Sequence, residues 1–164
     1  MKTNKFLICT ALSMACLISI SQTNEQWTEW GDRVHGGFGS LIAYGVVIGN
    51  DSLVRLNAQR RDVIVEYTDG PMTPCACVID GIAIAVSASL GQRTMKLNEY
   101  RTEDGLLARI KITNKKTNQI VVYELPMSVM PLMANINKDY EPSKRLEAVQ
   151  RLNQSVLYSV KSAH

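Results

Sequence analysis

The stretch that decides the fold is "TPCACVIDGIAIAVSASLG", residues 73–91. From residue 75 to residue 90 it consists almost wholly of small and apolar side chains, which let a helix lie close against its neighbours. Gly91 is a suitable end for that helix, because glycine readily adopts the left-handed conformation in which many helices terminate. The stretch therefore predicts a buried small-residue helix over residues 75–90.

Four segments around this helix have the length and apolar character of strands. The segment "RDVIVEYTDG" (61–70) is rich in β-branched residues and ends at a turn-forming Asp-Gly pair. After the helix come "TMKLNEY" (94–100), "GLLARIKIT" (105–113) and "NQIVVYEL" (118–125), which alternate or run apolar over strand lengths. The polar residues 114–119 between the last two predict the turn of a β-hairpin.

Helices are predicted on both sides of these strands. Leu41, Tyr44, Val47 and Ile48 fall on one helical face, which predicts one long helix or two short ones near the N-terminus. Residues 141–162 have the spacing of a closing amphipathic helix. Its inward side chains are expected to be Leu146, Val149, Leu152, Val156 and Val160. These elements predict a single α+β domain, with a mixed sheet and a β-hairpin packed by a long N-terminal helix, the buried small-residue helix and a C-terminal helix.

The N-terminus predicts export. Residues 1–5 carry two lysines, residues 6–19 are almost wholly apolar, and polar sequence follows, which is typical of a secretory signal peptide. The apolar run is too short for a comfortable membrane span, and small residues precede a cleavage site after Ser21. The predicted location is periplasmic or secreted. A lipoprotein anchored through Cys16 is the less favoured alternative, because Ser13 stands where a lipobox usually has leucine.

Removal of residues 1–21 leaves residues 22–164 as one domain of ordinary size. The leader takes two lysines with it, so the formal charge falls from +3 to +1. A near-neutral chain without a clustered basic face gives no reason to expect a nucleic-acid partner. No second apolar segment is long enough to cross a bilayer, so the mature chain is expected to lack a transmembrane segment.

Two cysteines remain after the leader is removed, Cys75 and Cys77. An oxidising compartment would normally pair them, but a bond across one residue closes a small, strained ring, so a structural disulfide is the less favoured interpretation. Cys77 and Asp80 are three residues apart and share a helix face, and the start of a helix favours the thiolate form of a cysteine. On spacing alone, filling of the core remains the commoner role for such cysteines.

One histidine lies near glycines that allow close approach of a ligand or of another chain. His35 precedes Gly36-Gly37, just ahead of the first predicted helix. On its own this pattern is more typical of a histidine that caps or hydrogen-bonds a turn than of a binding site. His164 at the terminus is the other histidine of the sequence, so one chain cannot form a histidine cluster.

Two segments together resemble a known family. "HGGFGSLIAYG" (35–45) and "CVIDGIAIAVSASLG" (77–91) are similar to the motifs of the FmdE family, which takes its name from formylmethanofuran dehydrogenase. That family begins with His-Gly-His-Leu-Gly-Pro and later carries Ser-Cys-x-x-Asp-Gly-Ile-Gln and Thr-Gly-x-Thr-Leu-Gly. The resemblance covers residues 30–100 and implies an α+β core.

The resemblance places the family's histidine on His35, its cysteine on Cys77 and its aspartate on Asp80, near which the family holds metal. Cys75 has no usual counterpart and is a candidate for an additional thiolate. One histidine and one or two cysteines, with Asp80 as ligand or as hydrogen-bond acceptor, suit a transition metal ion such as Zn²⁺.

Several positions depart from the family's pattern. Gly37 stands where the family has a second histidine, Ala83 replaces a glutamine, Ser87 replaces a glycine, and Ala88 occupies a position that is often cysteine. An incomplete ligand set would leave a coordination position for water, a substrate or a ligand from another copy of the chain. The zinc-ribbon cysteines that follow the core in some members are missing from this sequence.

These observations favour an exported FmdE-like domain with a metal-handling or accessory role. A homodimer is expected, because the small-residue helix over residues 75–90 and the glycine turn at Gly36-Gly37 allow close approach of two chains, and because the resemblance to the family implies pairing. The reaction of formylmethanofuran dehydrogenase belongs to other chains of that enzyme, so the family name does not assign it to this protein. Two alternatives stay open. One is an enzyme in which metal activates water or Cys77 acts as a nucleophile with His35 as its base, and the other is a degenerate domain that binds another protein.

Overall fold

Alternating apolar residues build a five-stranded sheet in residues 22–163, the part of the chain that the computed structural model describes. The strands, in chain order, are β1 (Val63–Asp69), β2 (Met95–Leu97), β3 (Leu106–Asn114), β4 (Ile120–Pro126) and β5 (Ser159–Ala163). The sheet order is β2-β1-β3-β4-β5, with β1 and β2 parallel and the other neighbours antiparallel. The mixed sheet and the hairpin of β3 and β4, both predicted from the sequence, are confirmed.

Six α-helices accompany the sheet within the described residues. They are α1 (Asn24–His35), α2 (Ser40–Arg55), α3 (Cys77–Val86), α4 (Met130–Asp139), α5 (Pro142–Gln150) and α6 (Gln154–Leu157), and a single 3-10 turn covers Met127–Val129. The α+β class is therefore confirmed, and the first apolar segment is one long helix, α2, rather than two short ones.

The two faces of the sheet differ in chemistry because side chains alternate along each strand. Val65, Ile112 and Val121 lie side by side on neighbouring strands and are fully or almost fully buried in the core. One residue further along, Glu66 lies opposite Lys111 on the other face, and their side chains form an ion pair of 2.8 Å. The helices thus cover one face of the sheet, and a charged face remains on the other.

Close packing of α2 against α3 fixes the position of the small-residue helix. Gly45 of α2 and Gly81 of α3 face each other, and a Cβ added to either would overlap backbone of the opposite helix, the carbonyl of Val78 or of Ile42. Both positions therefore require glycine, and the prediction of a buried helix that lies close to its neighbour is confirmed. The first turn of α3 is held in place by this crossing.

The predicted bounds of this helix were too wide at both ends. The helix starts at Cys77, not Cys75, and it ends at Val86, where Ser87 adopts a left-handed conformation (φ 57°) and its backbone N–H donates to Ala83. Gly91 therefore does not terminate the helix. The chain leaves the helix early because it must turn back so that β2 can pair with β1.

The prediction of a C-terminal helix over residues 141–162 was wrong beyond α5. Leu146 and Val149 are buried on α5 as expected, but Val156 is exposed and Val160 lies on β5. This strand pairs with β4, and so gives hydrogen-bond partners to an edge that a helix would leave unpaired. The short helix α6 lies between α5 and β5, and it begins where the Asn153 side chain accepts a hydrogen bond from the Ser155 N–H.

The helix α1 was not predicted. Thr23 and Gln26 form a capping box at its start, and Trp27 is buried on the core side. His35 is the last residue of this helix, not a residue ahead of the first helix. Gly36 follows as a left-handed cap with φ 82°, a conformation that glycine adopts without strain.

The described residues contain no single helix that is both long and apolar enough to span a membrane. Within residues 22–163, α1 and α2 taken together reach the necessary length and composition, and they meet at a bend of 112°.

Candidate functional site

A histidine and an aspartate from two different helices meet at the centre of the site. His35 ends α1 and Asp80 lies in the first turn of α3, and Nδ1 of the imidazole is 2.8 Å from Oδ2 of the carboxylate. Because a carboxylate oxygen accepts, Nδ1 donates in this bond and Nε2 is left for another partner. The two side chains are 34% and 30% exposed, so the pair remains accessible to a ligand.

The two cysteines form a disulfide bond, and the preference for unpaired thiols was therefore wrong. Cys77 is the first residue of α3, and Cys75 lies before the N-cap residue Ala76 in a non-helical segment. This turn brings the two Cα atoms to 5.3 Å, a distance that a disulfide spans. The disulfide forms despite its small ring because the chain turns at Ala76, between the two cysteines, before the helix begins.

The disulfide and the His35–Asp80 pair line one cavity of about 330 Å³. Its polar part consists of these four side chains. Its apolar walls are formed by Ala76, Ile79, Leu90, Met95 and Leu97. All four residues predicted as site residues are thus brought together, across two helices and the loop that precedes α3. We call this cavity the disulfide pocket.

The start of α3 in this pocket has no side-chain cap. The N-cap position is held by Ala76, whose side chain cannot accept a hydrogen bond from the first turn. The first backbone N–H groups of a helix have no partners within the helix, and they carry a partial positive charge. The beginning of α3 therefore favours a negatively charged group beside Cys77.

Three residues that sequence reasoning missed adjoin the site. Tyr67 is fully buried on β1, and burial, with smaller contributions from the charges of Asp69 and Asp80, raises its pKa well above the usual range. Asp69 forms a 2.8 Å ion pair with Arg101, but its other oxygen makes no hydrogen bond of ordinary geometry with another described residue. The one sequence signal for this group is the Asp-Gly pair that ends the first predicted strand.

The oxidised pocket has fewer groups that could bind a transition metal ion than such an ion requires. Zinc sites use three or four nitrogen, sulfur or oxygen ligands. In the disulfide form the sulfurs are bonded to each other, and no group of three His, Cys, Asp or Glu side chains within residues 22–163 is placed to hold a metal ion. The oxidised pocket therefore does not fit a metal ion, and any fit requires reduction of the disulfide.

The architecture and the pocket define the chain as an α+β domain with a His–Asp pair and a cysteine pair at the start of a buried helix. The family model described as FmdE, Molybdenum formylmethanofuran dehydrogenase operon, matches residues 34–163. This match covers most of the sequence, and the chain belongs to the FmdE family. Among curated proteins, no significant match to the chain was found.

The matched region begins at the end of α1, so it contains the whole disulfide pocket as well as Tyr67 and Asp69. The description of the family connects it with the operon of a molybdenum enzyme and thus with metal-related function. The family match therefore supports the resemblance found in the sequence, and it extends that resemblance to the hairpin and the C-terminal strand.

Proposed function

We propose that this chain is an exported FmdE domain that binds one transition metal ion, with Zn²⁺ as the expected ion, in a metal-handling or accessory role. The observation that carries the proposal is the 2.8 Å hydrogen bond between His35 Nδ1 and Asp80 Oδ2. It leaves Nε2 of the same imidazole free to bind an ion, in a pocket that both cysteines also line.

The proposed ligands are Nε2 of His35 and the sulfurs of Cys77 and Cys75 after reduction. Asp80 accepts a hydrogen bond from the imidazole, so it is assigned the role of holding the ring in place rather than of a ligand. Nitrogen and thiolate ligands suit zinc, and an ion held by three such groups would supply a positive charge and a site for a further ligand.

Export is part of the proposal. The signal peptide, residues 1–21, and the alternative lipidation site Cys16 lie outside the described residues. Support comes from the Cys75–Cys77 bond, because disulfides persist mainly in oxidising compartments such as the periplasm and the extracellular space. Mass spectrometry of the mature N-terminus tests this, and a chain that keeps Met1 in a cytoplasmic fraction would refute it.

We also propose that the chain forms a homodimer, although on different grounds from those of the sequence. The small residues of α3 serve the packing against α2, so they do not argue for a second chain. The apolar surface beside α3 supports pairing, because Val34 and Leu90 are 57% and 70% exposed at the edges of a groove. Sedimentation that shows only monomer at micromolar concentration, with and without zinc, would contradict pairing.

Zinc titration of the reduced protein under anaerobic conditions tests the metal site. We expect Cys77→Ser and His35→Ala to abolish binding of one equivalent, and Cys75→Ser to weaken it less, because Cys75 lies outside the helix. His164→Ala replaces the other histidine of the sequence and serves as the matched control, with wild-type binding expected. Equal affinity in wild type and Cys77→Ser would show that the metal binds elsewhere.

A further inference from the structure

We propose that the disulfide pocket performs thiol–disulfide exchange with a dithiol whose thiols are flanked by apolar groups. This activity goes beyond the proposed metal site and requires no metal. It rests on the juxtaposition of an accessible cysteine pair, an uncapped helix start and apolar walls in one cavity of about 330 Å³.

The two sulfurs lie in different surroundings. Cys77 packs against the hydrophobic core as the first residue of α3, whereas Cys75 lies in the loop that follows Pro74. Exchange requires an incoming thiolate to approach one sulfur along the line of the S–S bond. We assign Cys75 Sγ as the attacked sulfur, since the core side of Cys77 is closed to an incoming group.

The start of α3 stabilises the sulfur that leaves. When an incoming thiolate bonds to Cys75, the electron pair of the S–S bond remains on Cys77 as a thiolate. The Ile79 N–H donates to the Ala76 carbonyl, but Ala76 provides no side-chain cap. The N–H groups of Cys77 and Val78, with the partial positive charge of the helix start, therefore lie beside this atom. A stabilised leaving thiolate accelerates exchange.

The complete reaction balances with the dithiol as reductant. Its first thiolate forms a mixed disulfide with Cys75 and releases Cys77 as thiolate. The second thiolate of the dithiol then attacks the dithiol's first sulfur, which is bonded to Cys75 in the mixed disulfide. This step closes the substrate disulfide and releases Cys75 as thiolate. The dithiol loses two electrons and two protons, and the pair Cys75 and Cys77 gains them. In the opposite direction the reduced pair reduces a substrate disulfide.

The walls of the pocket determine which dithiol fits. Ile79, Leu90, Met95 and Leu97 present apolar surface beside the disulfide. Apolar groups that flank the substrate thiols would be removed from water there, while charged groups would lose hydration without a partner. The substrate class is therefore an apolar dithiol, either a small molecule or a cysteine pair within an apolar peptide segment.

The first experiment compares the folded protein with a peptide of residues 72–80 that carries the same disulfide. Both are treated with an apolar dithiol and with dithiothreitol in the presence of a chelator, and reduction is followed by mass spectrometry after thiol trapping. We expect the apolar dithiol to reduce the folded protein about tenfold faster than the peptide. In the folded protein the start of α3 stabilises the leaving Cys77 thiolate, and the apolar walls bind the dithiol. Equal or slower reduction of the protein would overturn the proposal.

Variants test the assignment within the fold. Leu97→Asp places a charge on the wall at a residue that is 49% exposed, so folding is preserved, and it should remove the advantage of the apolar dithiol over dithiothreitol. Val54→Asp, at an exposed position on α2 away from the pocket, is the matched control and should react like wild type. An unchanged preference in Leu97→Asp would overturn the assignment of the walls.

Single-cysteine variants identify the attacked sulfur. Towards an activated peptide disulfide, at a pH at which both thiols are ionised so that access distinguishes them, the thiol of Cys77→Ser should form a mixed disulfide about tenfold faster than the thiol of Cys75→Ser. Circular dichroism checks that both variants are folded. Faster reaction of Cys75→Ser would overturn the assignment of Cys75.

A synthetic dithiol and a two-cysteine peptide, compared at equal concentration, distinguish small-molecule from peptide substrates. Because the chelator is present throughout, these results are independent of the outcome of the zinc titration.

Discussion

Two regions of the domain contain pairs of ionisable side chains, the disulfide pocket and the outer face of the sheet, and the pairs differ in how much binding capacity they leave for a ligand. On the sheet, Glu66 pairs with Lys111 at 2.8 Å, and Glu124 accepts from Arg109 at 2.9 Å and from Lys161 at 3.2 Å. The cavity on this face is only about 140 Å³ and is bordered by side chains that bind one another. These charges satisfy each other and leave little binding capacity for a ligand.

The disulfide pocket keeps polar capacity that its own residues do not use. Nε2 of His35 makes no hydrogen bond with another described residue, and the start of α3 at Cys77 has no side-chain cap. The pocket is also larger and partly apolar. Unused hydrogen-bonding groups beside a cavity, and not the number of charges, therefore distinguish the candidate site from the rest of the surface.

The largest expected effect concerns the helix crossing that positions the pocket. Gly81→Ala places a carbon where it would overlap the carbonyl of Ile42, and should lower the free energy of unfolding by about 3 kcal/mol. Gly91→Ala adds the same carbon in open space and is the control. Urea unfolding measures both. A Gly81→Ala protein as stable as wild type would show that the close crossing does not hold the pocket.

A second prediction separates the roles of the two charged regions. Asp80→Asn removes the carboxylate that orients His35, so zinc affinity of the reduced protein should fall by about 10- to 100-fold. Because the pair is partly exposed, its free energy of unfolding should change by less than about 1 kcal/mol.

Glu66→Gln is the counterpart on the sheet. It breaks the pair with Lys111 and should leave zinc affinity unchanged, with an equally small effect on stability. Isothermal titration and urea unfolding of both variants give the comparison. If Glu66→Gln reduced zinc affinity as much as Asp80→Asn, the distinction between the two regions would be wrong.

The smallest expected effect is the pH dependence of the sheet face. Burial alone would raise the pKa of Glu124, but hydrogen bonds from Lys161 and Arg109 outweigh it and hold the pKa below the ordinary value of 4.5. A lowered folded pKa stabilises the native state above the unfolded value, and this contribution is lost as the pH falls below 4.5. Glu124→Gln should therefore lose less stability than wild type between about pH 5 and pH 3, as measured by thermal unfolding at each pH. Parallel curves would contradict this.

Much of the fold could be predicted because its signals are local. Alternation at residues such as Val65 and Ile112 specifies strands, and the small residues around Gly81 specify a closely packed helix. The C-terminus was mispredicted because Val156 and Val160 fit a helical spacing. Val160 instead lies in a strand because the edge of β4 needs a partner, a requirement that local periodicity does not contain.

That the four candidate residues lie close together could be predicted, but the state of the two cysteines could not. Whether Cys75 pairs with Cys77 depends on where the helix begins, and a shift of two residues in that boundary decides the distance between the sulfurs. The group of Tyr67, Asp69 and Arg101 was missed because its members meet only after β1 and the loop beyond β2 are assembled. Residues that pair across loops leave no pattern in a single sequence.

We propose that His35 and the reduced cysteines bind one metal ion together, and X-ray absorption at the zinc edge, on the reduced protein loaded with one equivalent of Zn²⁺, measures the ligands of that ion. We expect two sulfur ligands at about 2.3 Å and at least one imidazole nitrogen at about 2.0 Å, with one sulfur lost in Cys75→Ser. A spectrum with nitrogen and oxygen ligands alone would show that the cysteines do not bind the ion.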